Sequence, residues 1–151
     1  RILFSIIDKL MFNEIREKNK LVYSSYASEF FSQKYPRELI SISMGYGSDP
    51  SNIDKINKEI DKILSNVKQK NFDHKIFKNQ KLSLIKDYEE SLNRNYFWIN
   101  TIIRSERSNE NIERIVFYKQ IINQITLNDI AKLAKKYFDE NYFNSIQLIK
   151  E

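Results

Sequence analysis

The stretch LISISMGYGSDPSNI, residues 39–53, decides the fold class. Ile40, Ile42, Met44 and Tyr46 alternate with Ser41, Ser43 and Gly45. A period of two puts alternate side chains on opposite faces of a pleated strand, so Leu39 to Tyr46 is predicted to be a strand with one buried face. The segment from Gly45 to Pro50 holds both glycines of the chain and reads as a loop. It also launches a helix, with Asp49 as N-cap and Pro50 at the first helical position. Ile53, Ile56, Ile60, Ile63, Leu64 and Val67 supply the apolar stripe of that helix.

Working back from this stretch, a second run of period two begins at Leu21. Tyr23, Ser25, Ala27 and Glu29 fall on one face, with Val22, Ser24, Tyr26 and Ser28 on the other. Tyr35-Pro36 breaks the run, and the two strands are expected to pair as antiparallel neighbours. Before them, Ile2, Leu3, Ile6, Ile7, Leu10, Met11 and Ile15 recur at three- and four-residue steps, which predicts an amphipathic helix over about 2–17. Lys18, Asn19 and Lys20 end that pattern.

Working forward, Lys68 to Asp73 is a polar connection. A helix is expected from about Asp73 to Leu92, an interruption at Asn93 to Asn95, and a short apolar helix from Tyr96 to Ile103. Another helix is expected from Asn111 to Ile125. Thr126 then caps one more, carried by Leu127, Ile130, Leu133, Ala134 and Tyr137. Asn141 to Phe143 reads as a turn and Ser145 to Lys150 as a closing strand. The order α-β-β, several helices, then β predicts an α+β fold, an antiparallel sheet packed on one face by helices. Three strands make a thin sheet, which further strands before residue 1 would complete. Residues 1–151 are read as a single domain, and an opening Arg1 in place of Met suggests a fragment, an excised domain or a processed product.

Composition bounds what such a domain can do. A chain of 151 residues, 41% hydrophobic and 13% aromatic, is long and apolar enough to bury a core and is not disordered. No apolar run approaches the roughly 20 residues of a membrane span. Asp8 and Lys9 interrupt the apolar opening, which does not read as a signal peptide. There is no Cys, so disulfide and thiol chemistry are excluded. The net charge of +5 comes from 25 basic and 20 acidic residues, mostly interleaved, and reads as a solvated surface. Between Lys68 and Lys86, six Lys stand against one Asp with Phe72 and Phe77 among them. A basic stretch with aromatics can bind nucleic acid, but a solvated helix face over buried aromatics accounts for it better.

His74 is the only histidine. A catalytic zinc site needs about three protein ligands, commonly His or Cys, and neither H-x-x-E-H nor H-E-x-x-H occurs. His74 reads as an exposed residue near a helix start. No phosphate-binding glycine loop and no nucleophile elbow is present. Glu89-Glu90 and Asp139-Glu140 are adjacent carboxylates, which point apart on a helix and read as surface charge. One constellation is sharper. Arg16 ends the first helix and Tyr23 lies two residues into the following strand, so the turn between them can bring a guanidinium and a phenol together. Both donate hydrogen bonds, and both suit a developing oxyanion, although a helix-end Arg in a surface ion pair and a Tyr packed on a sheet are commoner.

The segment that carries them, IREKNKLVYS over residues 15–24, resembles the "(L/V)REK-x-x-(L/G)-x-Y" stretch in the C-terminal half of insulinase/pitrilysin-type (M16) metallopeptidases, PqqL-like zinc proteases included. Residues 42–53 are similar to that family's strand followed by "G-(S/T)-D-P-x-N-(V/I)". Asn95-Tyr96-Phe97-Trp98-Ile99 is similar to its "N-x-x-W-(L/I)", and the closing helix to its "A-x-x-Y-(F/L)". The resemblance covers nearly the whole chain. It implies a truncated M16/LuxS-like metallohydrolase domain that lacks its N-terminal strands. It also implies a divided active site in a zinc-dependent endopeptidase, with the zinc and its H-x-x-E-H motif on an N-terminal domain of the same polypeptide or on a partner subunit. This zinc-free domain would close the chamber around the peptide substrate. Arg16 would hold the substrate backbone or tetrahedral intermediate, and Tyr23 would donate to the oxyanion. The fragment alone is expected to be inactive. A non-catalytic scaffold or partner subunit of the same family is the alternative, and a nucleic-acid-binding module using residues 68–86 is a more distant one. The resemblance points to a bacterium and leaves periplasm and cytoplasm both open.

Overall fold

The computed structural model describes residues 1–32, 39–109, 111–138 and 144–148. Helix α1 (Ile2–Leu10) is the centre of the molecule. Ile2, Leu3, Phe4, Ile6, Ile7 and Leu10 are all buried, so it is apolar on nearly every side and is covered by the sheet and by three later helices. From Met11 the helix widens, and Met11–Lys18 form a π-helix continuous with α1. The sequence predicts one α-helix here. The residues are helical as expected, but the wider turn is a departure. Met11 and Ile15 are fully buried, and their four-residue spacing fits the wider turn as well as an α-helical one.

Strands β1 (Ser24–Ser32) and β2 (Leu39–Gly47) pair antiparallel, with Ala27 opposite Met44 and Tyr26 opposite Gly45. Ala27, Ile42, Met44 and Tyr46 pack against the buried core, while Tyr26 and Phe30 stand on the open face among Ser24, Ser28, Ser41 and Ser43. Asp8 of α1 accepts a hydrogen bond from the Ala27 N–H (2.9 Å), which fastens the helix to the hairpin. Gly45 and Gly47 lie inside β2 rather than in the loop expected of them. Neither has positive φ. At Gly45 the reason is room: a Cβ there would meet the Tyr26 ring at 2.5–2.7 Å.

Asp49 caps as predicted, accepting from the Ser51 N–H at 2.9 Å, with Pro50 opening a short 3-10 turn (Pro50–Asn52) before α2 (Ile53–Gln69). Ile56, Ile63, Leu64 and Val67 are its buried stripe. Helix α3 (His74–Ser91) is capped by Asp73, and α6 (Leu127–Tyr137) by a capping box between Thr126 and Asp129. Between them lie α4 (Asn95–Ser108), a 3-10 turn at Ile112–Ile115, and α5 (Tyr118–Gln124). Helix α4 is longer than its apolar run suggests, and Tyr96, Trp98, Ile99, Ile102 and Ile103 remain exposed. The expected closing strand does not form over 144–148. Ile146 and Leu148 are 87% and 97% exposed, and Ile149 and Lys150, the end of the expected strand, lie outside the described residues, as does the turn expected at Asn141 to Phe143. The two described strands and the surrounding helices make an α+β fold.

Candidate functional site

The turn from Ile15 to Tyr23 is built on two buried side chains. Ile15 is fully buried and Val22 is 7% exposed. Each anchors the chain to the core, and the next residue along, Arg16 after Ile15 and Tyr23 after Val22, projects to the surface. Three backbone bonds close the turn. Asn19 N–H donates to Glu14 O (3.2 Å), Lys20 N–H to Arg16 O (3.1 Å) and Leu21 N–H to Ile15 O (3.0 Å). Lys20 takes the left-handed conformation at φ 52°, which reverses the chain direction after the π-helix. Tyr23 N–H then donates to Gly47 O at 2.8 Å, placing this residue beside the end of β2.

Arg16 and Tyr23 therefore sit on the two arms of one well-fastened turn. No hydrogen bond joins them. The Arg16 guanidinium carbon lies 5.2 Å from the centroid of the Phe12 ring, over which the Lys9 ammonium also stands at 4.8 Å. Sequence patterning alone does not point to Phe12, although its four-residue separation from Arg16 is a readable signal. Glu14 is engaged by Lys18 at 3.0 Å, and among the described residues no carboxylate pairs with Arg16. The Tyr23 side chain is 77% exposed, and its hydroxyl has no partner among the described residues. An open cleft lies beside the turn, lined by Asn19, Leu21, Lys55, Lys58 and Glu59. The hydroxyl of Tyr46 ties β2 to α2 by donating to Asn57 Oδ1 (2.8 Å), and burial, with Asp54 nearby, pushes its pKa up.

The remaining candidates fall into structural roles. His74 is exposed, with Nε2 3.0 Å from Lys70 O. No group of three or more His, Cys, Asp or Glu is placed to hold a metal among the described residues. The donors among the described residues do not fit a zinc ion. In the basic stretch from Lys68 to Lys86, Phe77 is buried and Phe72 packs against the core, so neither ring is presented for base stacking. Lys81 is used internally, donating to Asn123 O and Ile125 O at 2.8 Å each. No helix among the described residues is long and apolar enough to cross a membrane.

Comparison with known proteins adds three structures of shared fold. A protease from Helicobacter pylori superposes with a TM-score of 0.73 at 16% identity, over 91% of this chain and 34% of that one. A conserved protein from Enterococcus faecalis V583 gives 0.68 at 20% identity, over 89% and 32%. The periplasmic protease PqqL from Escherichia coli gives 0.73 at 14% identity, over 91% and 15%. The chain thus spans about a third or less of each of these proteins. Among curated proteins, none matches the sequence. The family described as the peptidase M16 inactive domain matches residues 1–84, which include α1, the π-helix with Arg16, the turn with Tyr23, the hairpin and α2. With more than half of its length matched, the chain belongs to the M16 peptidase family, in the branch of its inactive domain.

Proposed function

We propose that this chain, read as one domain, is the zinc-free, C-terminal part of a zinc-dependent endopeptidase. It closes over a peptide held against a companion domain that carries the metal. On this reading Arg16 holds the substrate backbone and stabilises the tetrahedral intermediate, while Tyr23 donates a hydrogen bond to the oxyanion. The observation that carries the proposal is the turn itself. Two buried anchors, Ile15 and Val22, hold two exposed donors on neighbouring arms, and Arg16 has no carboxylate partner among the described residues. A cation and a phenol carried on a turn whose backbone is already fastened cost less to reorganise when charge develops nearby.

The test is made in the complete, zinc-bearing protease. Arg16→Ala and Tyr23→Phe are each expected to lower kcat by about 10²–10³, the usual cost of one oxyanion donor, with zinc content unchanged. Full turnover in both variants would reject the assigned roles and favour a scaffold domain of the same family.

A further inference from the structure

We propose that Phe12 is the positioning residue for Arg16: its ring holds the guanidinium in place while leaving the N–H donors free for a ligand. The inference rests on the reading of Arg16 as a substrate-binding group. Arg16 has no ion pair among the described residues. A flexible surface arginine is usually steered by a carboxylate, and a carboxylate would both neutralise the charge and occupy the donors. Glu14, two residues away, is instead held by Lys18. What touches the guanidinium is an aromatic ring, with the guanidinium carbon 5.2 Å from its centroid. A ring attracts a cation through its quadrupole and consumes no N–H in doing so.

The ring is itself well placed to serve as a fixed post. Phe12 is half-buried, and its chain neighbour Met11 is fully buried, as is Ile15 beside Arg16. All four residues lie in the π-helix, a rare form often found at functional sites. Lys9, one turn back on α1, stands over the same ring at 4.8 Å. Two cations therefore share one aromatic group, and neither is paired with a carboxylate among the described residues. A substrate carbonyl acquiring negative charge would meet it directly.

The experiment is a set of ring variants in the complete protease, read as kcat/KM on a peptide substrate. Phe12→Leu and Phe12→Met keep bulk and lose the ring, and each is expected to lower kcat/KM by about 2- to 30-fold, the span of a cation–π contact from exposed to desolvated. Phe12→Tyr and Phe12→Trp keep the ring and are expected to retain activity. In an Arg16→Ala background, Phe12→Leu is expected to cause no further loss, whereas a general packing role would add its cost in either background. Loss with Arg16→Ala but none with Phe12→Leu and Phe12→Met overturns the positioning role alone. Equal losses in all four ring variants, or an additive double variant, also overturn it. Unchanged kcat/KM in Arg16→Ala overturns both this inference and the reading beneath it.

Discussion

Replacing Gly45 by alanine tests the packing of the hairpin that frames the candidate site. Gly45 sits in mid-strand without positive φ, so no backbone requirement explains it. It stands directly opposite Tyr26. A Cβ at 45 would lie 2.5 Å from Tyr26 Cε1, 2.6 Å from Cζ and 2.7 Å from the hydroxyl oxygen. These atoms are the far end of a side chain that is 54% exposed, so the ring can swing into solvent. The cost is the cover it gives up. A buried tyrosine covers about 150–250 Å², so roughly half of that is at stake, or about 2 kcal/mol at ~25 cal/mol/Å². Alanine returns about 0.4–1 kcal/mol by restricting the unfolded chain. Gly45→Ala is therefore expected to destabilise by about 1 kcal/mol, or about 3 °C in Tm for a chain of this length. Urea unfolding of the single and double variants measures it. In a Tyr26→Ala background the same substitution should become neutral or stabilising. If Gly45→Ala stabilises equally in both backgrounds, the ring does not lie on the glycine and the reasoning fails.

Three further outcomes are expected. The left-handed backbone at Lys20 costs about 1 kcal/mol for a residue with a Cβ; Lys20→Gly should be neutral or slightly stabilising in urea unfolding, and Lys20→Val clearly destabilising. Asp49 and Asp129 accept side-chain and backbone hydrogen bonds from Ser51 and Thr126, which hold their pKa values below the ordinary 3.8. Their contribution to stability is therefore present above that value and lost as pH falls through the lower, folded one. Thr126→Ala should cost about 0.5–2 kcal/mol at neutral pH, and its Tm deficit should narrow at the acid end without vanishing, because the cap bond from the Asp129 N–H to Thr126 Oγ does not titrate. Lys81→Met removes two hydrogen bonds to the carbonyls that end α5; a loss of about 1–3 kcal/mol is expected by thermal unfolding, with little change if methionine is used at Lys78 instead.

The parts of this fold that are legible in the sequence are those where burial imposes a period. Ile40, Ile42, Met44 and Tyr46 must share a face, and three of them do pack on the core. Asp49 and Thr126 are legible as caps because capping needs only near neighbours in sequence. What cannot be read depends on distant partners. Ser145, Ile146, Gln147 and Leu148 alternate as a strand should, yet a strand also needs another backbone to bond with, and alternation says nothing about where that backbone lies. The glycines of β2 look like a loop because sequence cannot show a tyrosine from the neighbouring strand lying over one of them. The π-helix is hidden for a related reason. Apolar residues at steps of four suit both a 3.6-residue turn and a wider one, so Met11 and Ile15 fix which face is buried without fixing the pitch.

That ambiguity bears on the site. Arg16 and Tyr23 stand seven positions apart in sequence, but what joins them is the chain between two buried residues, Ile15 and Val22. Ile15 belongs to the π-helix and is fully buried; Val22 is buried two residues before β1. Each exposed donor is thus next in sequence to a residue anchored in the core. A functional group needs its supporting residues held within a fraction of an ångström to keep its geometry. A turn strung between core residues meets that need better than a free loop with the same two side chains. The segment from Ile2 to Val22 therefore supplies much of the hydrophobic core and, through its far end, holds both candidate donors in place. Mutations that loosen Ile15 or Val22 should accordingly disturb Arg16 and Tyr23 together.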